Sequence, residues 1–149
     1  WGDSAGKRGR ADDLLRRLGD TAGSELRTAL EQMAEEGVVQ LFIPADGAPP
    51  IIGVIGALQL DVLADRLASE YGVPVAFETC QFELARWISA KDRAALDQFS
   101  ARNRAAMAVD LDGDPVFLAT SDFNLRWTAE RAADIAFADV KSGTAAKAA

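Results

Sequence analysis

Apolar residues recur at helical spacing in two segments of the chain, and each segment ends at a glycine. Ser24 can cap the first helix and Gly37 can stop it. The second helix is expected from about Leu58 to Tyr71, with Gly72 at its end. The positions expected to face the core are Leu26, Ala29, Leu30 and Met33 in the first helix and Leu60, Leu63, Ala64, Leu67 and Tyr71 in the second.

Runs of β-branched and aromatic residues predict the strands. VVQLFIPA and PPIIGVIGA flank the dipeptide Asp46-Gly47, which is a hairpin signal, so we expect these strands to pair antiparallel. VPVAFETC predicts a further strand, LARWISA an extended segment, and DDLLRRLGD favours an edge strand over a helical turn. AVDLDGDPVFLAT predicts two short strands around the turn at Asp112–Asp114, and IAFADV predicts a last short strand.

Two further helices are expected in the second half of the chain. KDRAALDQFSARNRAAM has Ala95, Leu96 and Phe99 on its inner side, and SDFNLRWTAERAAD can be capped by Ser121. The first half then has the order strand, helix, strand, strand, helix, strand, which is that of a ferredoxin-like (split βαβ) plait. We therefore expect an α+β fold with a mostly antiparallel sheet and helices packed on one face.

The length and the apolar content suit one compact core. The chain has 149 residues, of which 49% are apolar. We expect a polar N-terminal segment with a possible edge strand at 1–20, a single α+β domain at 21–140 and a disordered tail at 141–149. Because the chain begins at Trp1 rather than Met, we expect it to be a piece of a longer protein or to lack its first residues.

The composition excludes several kinds of site. The chain has one cysteine and no histidine, so it offers no internal disulfide, no zinc site of the Cys/His type and no His-based acid–base chemistry. Its net charge of −7 argues against nucleic-acid binding through the charge of the whole chain, so such a contact needs a local basic patch. No apolar run approaches the roughly 20 residues of a membrane span, and we expect a cytoplasmic protein.

Two glycine-containing motifs resemble ligand loops only in part. The junction GVIG, at Gly53–Gly56, matches neither GxGxxG nor GxxxxGK[ST], and Asp61 in the next turn would repel phosphate. We expect Gly56 to let the chain turn sharply and the helix pack closely. DLDGD, at Asp110–Asp114, has its glycine at the fourth rather than the sixth position of a calcium loop, which favours a solvated hairpin turn. We expect no catalytic residue, cofactor or metal in this chain.

The third predicted helix is the densest positive segment outside the N-terminus. Its cations are Lys91, Arg93, Arg102 and Arg104. On one continuous helix, Lys91 and Arg102 share a face near Arg104, and Phe99 lies closer to the core. Both an RNA contact and the solvated charges of an amphipathic helix fit this pattern.

Arg86 and Arg126 are further candidates for an RNA contact. Arg86 lies beside Trp87, and such a pair can form a stacking platform for bases, but an aromatic residue in an apolar strand more often belongs to the core. Cys80 has no evident base and is interpreted as a small buried apolar residue.

Four segments, in the same order along the chain, resemble a known family. They are MAEEGVVQLFIP, IIGVIGALQLDVLADRLASEYGVPVAFE, ARWISA and FLATSDFNL, within roughly Leu26–Val140. These segments closely resemble the C-terminal domain of peptide chain release factor 3, the GTP-binding class II release factor of bacteria and a relative of elongation factor G. The block Gly56–Glu78 is the most specific part of the match.

The resemblance implies a translation factor that uses GTP on the ribosome to promote the departure of class I release factors. In that family the C-terminal domain contacts the small-subunit shoulder, through rRNA and ribosomal protein, and moves relative to the GTPase and barrel domains. This chain has neither a phosphate loop nor an NKxD motif for guanine, so we expect a ribosome-docking module, with GTP and magnesium bound on the missing domain. The alternative is a self-contained small-molecule or protein-binding regulatory plait domain.

Overall fold

The computed structural model describes residues 14–19 and 24–138, which form an α+β fold. The strands are β1 Leu14–Leu18, β2 Gln40–Pro44, β3 Ile51–Val54, β4 Phe77–Glu78, β5 Leu84–Ser89, β6 Met107–Val109, β7 Pro115–Ala119 and β8 Ala136–Ala138. The helices are α1 Ser24–Glu35, α2 Ala57–Tyr71, α3 Arg93–Arg102 and α4 Asp122–Glu130, with a short 3₁₀ helix at Arg104–Ala106. The predicted tail at 141–149, most of the segment 1–20 and the side chain of Ser24 lie outside the described residues.

The eight strands form one sheet in the order β4-β1-β3-β2-β6-β7-β5-β8, and all neighbours are antiparallel. The order of the first four is the one that two interleaved βαβ units, β1-α1-β2 and β3-α2-β4, produce. The expected hairpin is present, since Phe42 pairs with Ile51 and Gly47 has a φ of 83° in the turn.

Two strands differ from their predictions. β1 is not an edge strand, because β4 pairs with its outer side through Arg17 and Leu18. β4 is limited to Phe77–Glu78, although VPVAFETC predicts a longer strand. Pro74 has no N–H to donate to a neighbouring strand. The N–H of Val73 donates to the carbonyl of Leu67 at 2.9 Å, at the end of α2. Pairing with the sheet therefore begins only at Phe77.

The four helices pack on one face of the sheet, as expected. α1 and α2 cover the first half through buried leucines such as Leu30 and Leu63, while α3 and α4 cover the second half through Phe99 and Leu125. Side chains alternate along strands, and residues paired across an antiparallel ladder share a face. Ile43 of β2 packs against the cluster of α1 and α2, and it pairs with Val109 of β6. Because paired residues share a face, the helices of the second half lie on the same side of the sheet as those of the first.

The sheet is curved, so that side chains on its other face pack against one another. There Leu15 and Phe42 of the first half pack with Trp87 and Leu118 of the second half in one buried cluster. β2 and β5 are three strands apart, which is about 14 Å in a flat sheet. The ring centroids of Phe42 and Trp87 nevertheless lie 6.0 Å apart, so the sheet curves around this central cluster.

Candidate docking surfaces

The four cations of the third predicted helix do not share one helix. Arg93 and Arg102 lie in α3, whereas Lys91 precedes it and Arg104 begins the 3₁₀ helix. The prediction of a continuous helix through Met107 is wrong, because Met107 is the first residue of β6. The shared helical face derived for these residues therefore does not apply.

Asn103 ends α3. Its side-chain amide donates to the carbonyl of Phe99 at 2.9 Å, and its φ of −114° takes the backbone out of the helix. Phe99 holds the helix on the sheet by edge-to-face contacts with Phe117 and Phe137, at centroid distances of 5.7 Å each. Arg102 lies in the last helical turn, where a cation interacts favourably with the helix dipole.

The exposed cations around α3 differ in their ion pairing. Arg93 pairs with Asp97 at 3.2 Å, and both side chains are mostly exposed, so the attraction is weak. In the part of the chain that the structure describes, Lys91, Arg102 and Arg104 have no carboxylate partner within 4.0 Å. All three are exposed, which leaves their charges available to an anionic partner.

Arg86 and Trp87 do not form an exposed stacking platform. Trp87 is 7% exposed, and its indole N–H donates to a carboxylate oxygen of Asp110 at 3.0 Å. The interpretation of Trp87 as a core residue is therefore confirmed. Arg86 is half-buried, and its guanidinium donates to the carbonyl of Ala85 at 3.0 Å.

Asp110 is a buried carboxylate, which the interpretation as a solvated turn missed. Besides the bond from Trp87, its Oδ1 accepts from the backbone N–H groups of Asp112 and Asp114, at 3.0 and 2.9 Å. These bonds tie the turn between β6 and β7 to the central cluster. Carboxylate oxygens of the three aspartates lie within 4.8 Å of one another. An aspartate at the start of a DG turn is a sequence signal for the turn, but not for burial.

α4 presents two exposed aromatic residues that sequence reasoning did not single out. Phe123 and Trp127 lie one turn apart and are 69% and 48% exposed. The guanidinium of Arg131 lies 3.9 Å from the centroid of the Trp127 ring, a cation–π arrangement. The candidate Arg126 lies on the same helix and pairs with Asp122 at 3.6 Å. The sequence signal for this exposed pair is the i, i+4 spacing of two aromatic residues at helix positions that do not face the core.

The junction between β3 and α2 is fixed by a side chain rather than by its glycine. Gln59 accepts from the N–H of Ile55 and donates to the carbonyl of Val38, each at 2.8 Å. Gly56 has φ −161° and ψ 170°, which any residue adopts, and a Cβ there would meet nothing within 4 Å. The expectation that this turn and the packing of the helix need a glycine is therefore wrong.

An open cleft of about 670 Å³ lies beside this junction. Its walls include Arg16, Glu83 and Cys80, so it is charged as well as apolar. Cys80 is half-buried rather than buried, and its thiol lies 3.7 Å from the carbonyl of Phe82. Cys80 thus contacts the central cluster from the side that opens to this cleft.

Arg66 is held by ion pairs that raise the pKa of its guanidinium above the ordinary value. Its hydrogen bond to Glu70 raises the pKa, and the pair with Glu36 at 3.4 Å adds to the effect. The guanidinium of Arg66 is therefore bound to these two carboxylates.

None of the helices in the described residues combines the length and apolar content that crossing a bilayer requires.

One comparison with known families bears on these surfaces. A family model described as class II release factor RF3, C-terminal domain, matches residues 17–129. The matched region runs from β1 into α4. It therefore includes the junction at Gly56, the cations around α3 and the exposed aromatic pair of α4.

Proposed function

Because this chain belongs to the family of class II release factor RF3 C-terminal domains, and so is a domain of a translation-termination factor, we propose that it docks this factor on the ribosome. The observation that carries the proposal is that Lys91, Arg102 and Arg104, around α3 and within the matched region, are exposed and have no carboxylate partner among the described residues. Cytoplasmic placement follows from the same proposal, since ribosomes work there.

Phosphate contact is the physical basis of this docking. A chain with a net charge of −7 is repelled by rRNA as a whole, so it must present a local positive surface. Lys91, Arg102 and Arg104 are suited to this, because each lacks a carboxylate partner in the described part and lies near an end of α3. Arg93 and Arg126 are less suited, because nearby aspartates already neutralise them in part.

The proposed role is binding and not catalysis. Promotion of class I release factor departure would then depend on GTP hydrolysis by another domain of the factor, with this domain fixing the factor's position on the small subunit. The rRNA and a ribosomal protein would both be contacted. The rigid attachment of α3 through Phe99 would keep the cations in a fixed position relative to the sheet.

The test is the affinity of the chain for purified ribosomes, measured by co-sedimentation. The double variant Arg102→Ala, Arg104→Ala should bind at least tenfold more weakly, because it loses two phosphate contacts. Arg27→Glu on α1 is the matched control: it also lowers the net charge by two units, by replacing a guanidinium with a carboxylate, and its side chain is 54% exposed. Equal affinities of the double variant and the control would contradict the proposal.

A second candidate function, the binding of a small regulatory ligand, is supported by the cleft beside the β3–α2 junction. Its volume of about 670 Å³ and its opposite charges, Arg16 and Glu83, fit a small polar molecule. Thermal unfolding in a panel of metabolites tests it, with Ala57→Trp as the variant that narrows the cleft. A compound that stabilises the natural chain but not the Ala57→Trp variant would favour this function. If none of the compounds raises the unfolding temperature of the natural chain, the result would count against it.

A further inference from the structure

α2 carries apolar residues on the side that faces away from the core. Leu58 is 78% exposed and Val62 is 50% exposed, whereas Leu63 and Leu67 are fully buried. At 100° per residue, positions 58 and 62 are centred about 140° around the helix axis from positions 63 and 67. Ile55, 62% exposed, precedes the helix and adds to the same end of it. An outer helix face is ordinarily polar, so this face is an apolar surface that none of the described residues covers.

The outer face of α2 is held in place by specific hydrogen bonds. Gln59, in the first turn, is bonded both to Ile55 and to the carbonyl of Val38 at 2.8 Å each. The opposite side of the helix is anchored by Leu63 and Leu67 in the first core cluster. Leu58 and Val62 are therefore presented from a fixed frame, which lowers the ordering cost of binding a partner.

Carboxylates lie between and beside the exposed apolar residues. Asp61 and Asp65 fall on the same face as Leu58 and Val62, and neither has an ion-pair partner within the described residues. Arg66, the nearest cation on the helix, is engaged by Glu70 and Glu36. The outer face of α2 is thus both apolar and negative.

This chemistry selects among the partners that such a face could bind. RNA is disfavoured because its phosphates are repelled by the two free carboxylates. A second copy of the chain is disfavoured because it would bring the same carboxylates and the same net charge of −7 to the contact. A protein surface with an apolar groove and a rim of Lys and Arg fits both properties.

We propose that the outer face of α2, formed by Leu58, Asp61, Val62 and Asp65 with Ile55 just before the helix, docks on a basic protein surface of the ribosome. This inference rests on the proposed function and assigns the contact with ribosomal protein to a surface of opposite charge from the cations around α3. The cations around α3 meet rRNA, while the outer face of α2 meets protein. Two contacts of different chemistry fix the orientation of the domain, which one phosphate-binding surface alone does not.

Site-specific photocross-linking distinguishes the two contacts. The photoreactive residue p-benzoylphenylalanine is placed at Leu58 in one variant and at exposed Ala101 in α3 in another, and each is irradiated with purified small ribosomal subunits. We expect the variant at position 58 to link to a basic ribosomal protein and the variant at position 101 to link to rRNA. If position 101 links to rRNA but position 58 links to rRNA, to a second copy of the chain or to nothing, this inference is overturned and the proposed function stands. Absence of any ribosome binding would overturn both it and the proposed function.

Two exposed double variants give a second, independent measurement. Leu58→Ala with Val62→Ala should weaken ribosome binding roughly tenfold, as expected for anchors at the centre of an interface. Asp61→Lys with Asp65→Lys should also weaken binding against a basic protein, whereas against RNA it would strengthen it. The matched control is Glu31→Lys with Glu35→Lys on α1, which has the same spacing and charge change. Binding that is unchanged relative to this control, or stronger, would overturn the inference, and unchanged thermal unfolding of all variants excludes misfolding.

Discussion

The carboxylate of Asp110 connects a surface turn to the centre of the molecule. Three hydrogen bonds, from Trp87 and from the N–H groups of Asp112 and Asp114, satisfy it in a site that is 7% exposed. A buried carboxylate is tolerated only with such partners. The sequence signal at DLDGD predicts the turn, but the burial depends on Trp87, which lies 23 residues away, and local patterns do not indicate that contact.

Replacement of Asp110 by alanine should lower the free energy of unfolding by about 1–3 kcal/mol, because the indole N–H of Trp87 and the backbone N–H groups of the turn lose their acceptor. Chemical denaturation measures it. Asp46→Ala is the matched control, since Asp46 accepts a similar bond from Ala48 at 3.1 Å in an exposed turn, and should cost less than about 0.5 kcal/mol. Equal losses in the two variants would show that the burial of Asp110 has no energetic consequence.

Among the helices, periodicity predicts the interior of α2 better than the end of α3. The buried Leu63 and Leu67 were expected from their spacing, because each helical turn returns a residue to the core. The end of α3 was not predicted, since the residues after Arg102 are compatible with a helix and the capping bond of Asn103 is a detail of the folded chain. The exposed Leu58 and Val62 lie within the predicted helix, on the side away from its predicted core positions.

Two leucines of α2 provide a matched test of its orientation. Leu63→Ala should lower the free energy of unfolding by about 2–5 kcal/mol, because it opens a cavity in a fully buried site. Leu58→Ala removes the same atoms from a side chain that is 78% exposed. This variant should change the free energy of unfolding by less than about 0.5 kcal/mol. Urea denaturation of both variants is the measurement. A loss for Leu58→Ala as large as that for Leu63→Ala would mean that the helix faces the other way.

In the assembled domain, the two halves are joined in a way that local sequence patterns do not specify. The ladder between β2 and β6 pairs Ile43 with Val109, 66 positions later, and it extends the first four strands into one sheet. The curvature that brings Phe42 and Trp87 together depends on this pairing. The α+β class and the split βαβ order were predicted from the sequence, but this union was not, because a strand carries no mark of a distant partner.

The isolated chain should not bind GTP. Gly56 precedes α2 beside an open cleft, but the described residues contain no Lys at this junction, and the sequence has no NKxD motif for guanine. Isothermal calorimetry with GTP and magnesium should give no saturable heat. Saturable binding in the micromolar range would contradict this expectation and would make the cleft a nucleotide site.

The salt dependence of ribosome binding tests the central claim most directly, that the cations around α3 hold the domain on rRNA. Each phosphate contact contributes roughly 0.7–0.9 to the slope of log affinity against log salt concentration. The double variant Arg102→Ala, Arg104→Ala should therefore have a slope shallower by roughly 1.5 units than that of the natural chain, while Arg27→Glu keeps the natural slope. An identical slope in the double variant and the natural chain would contradict the account.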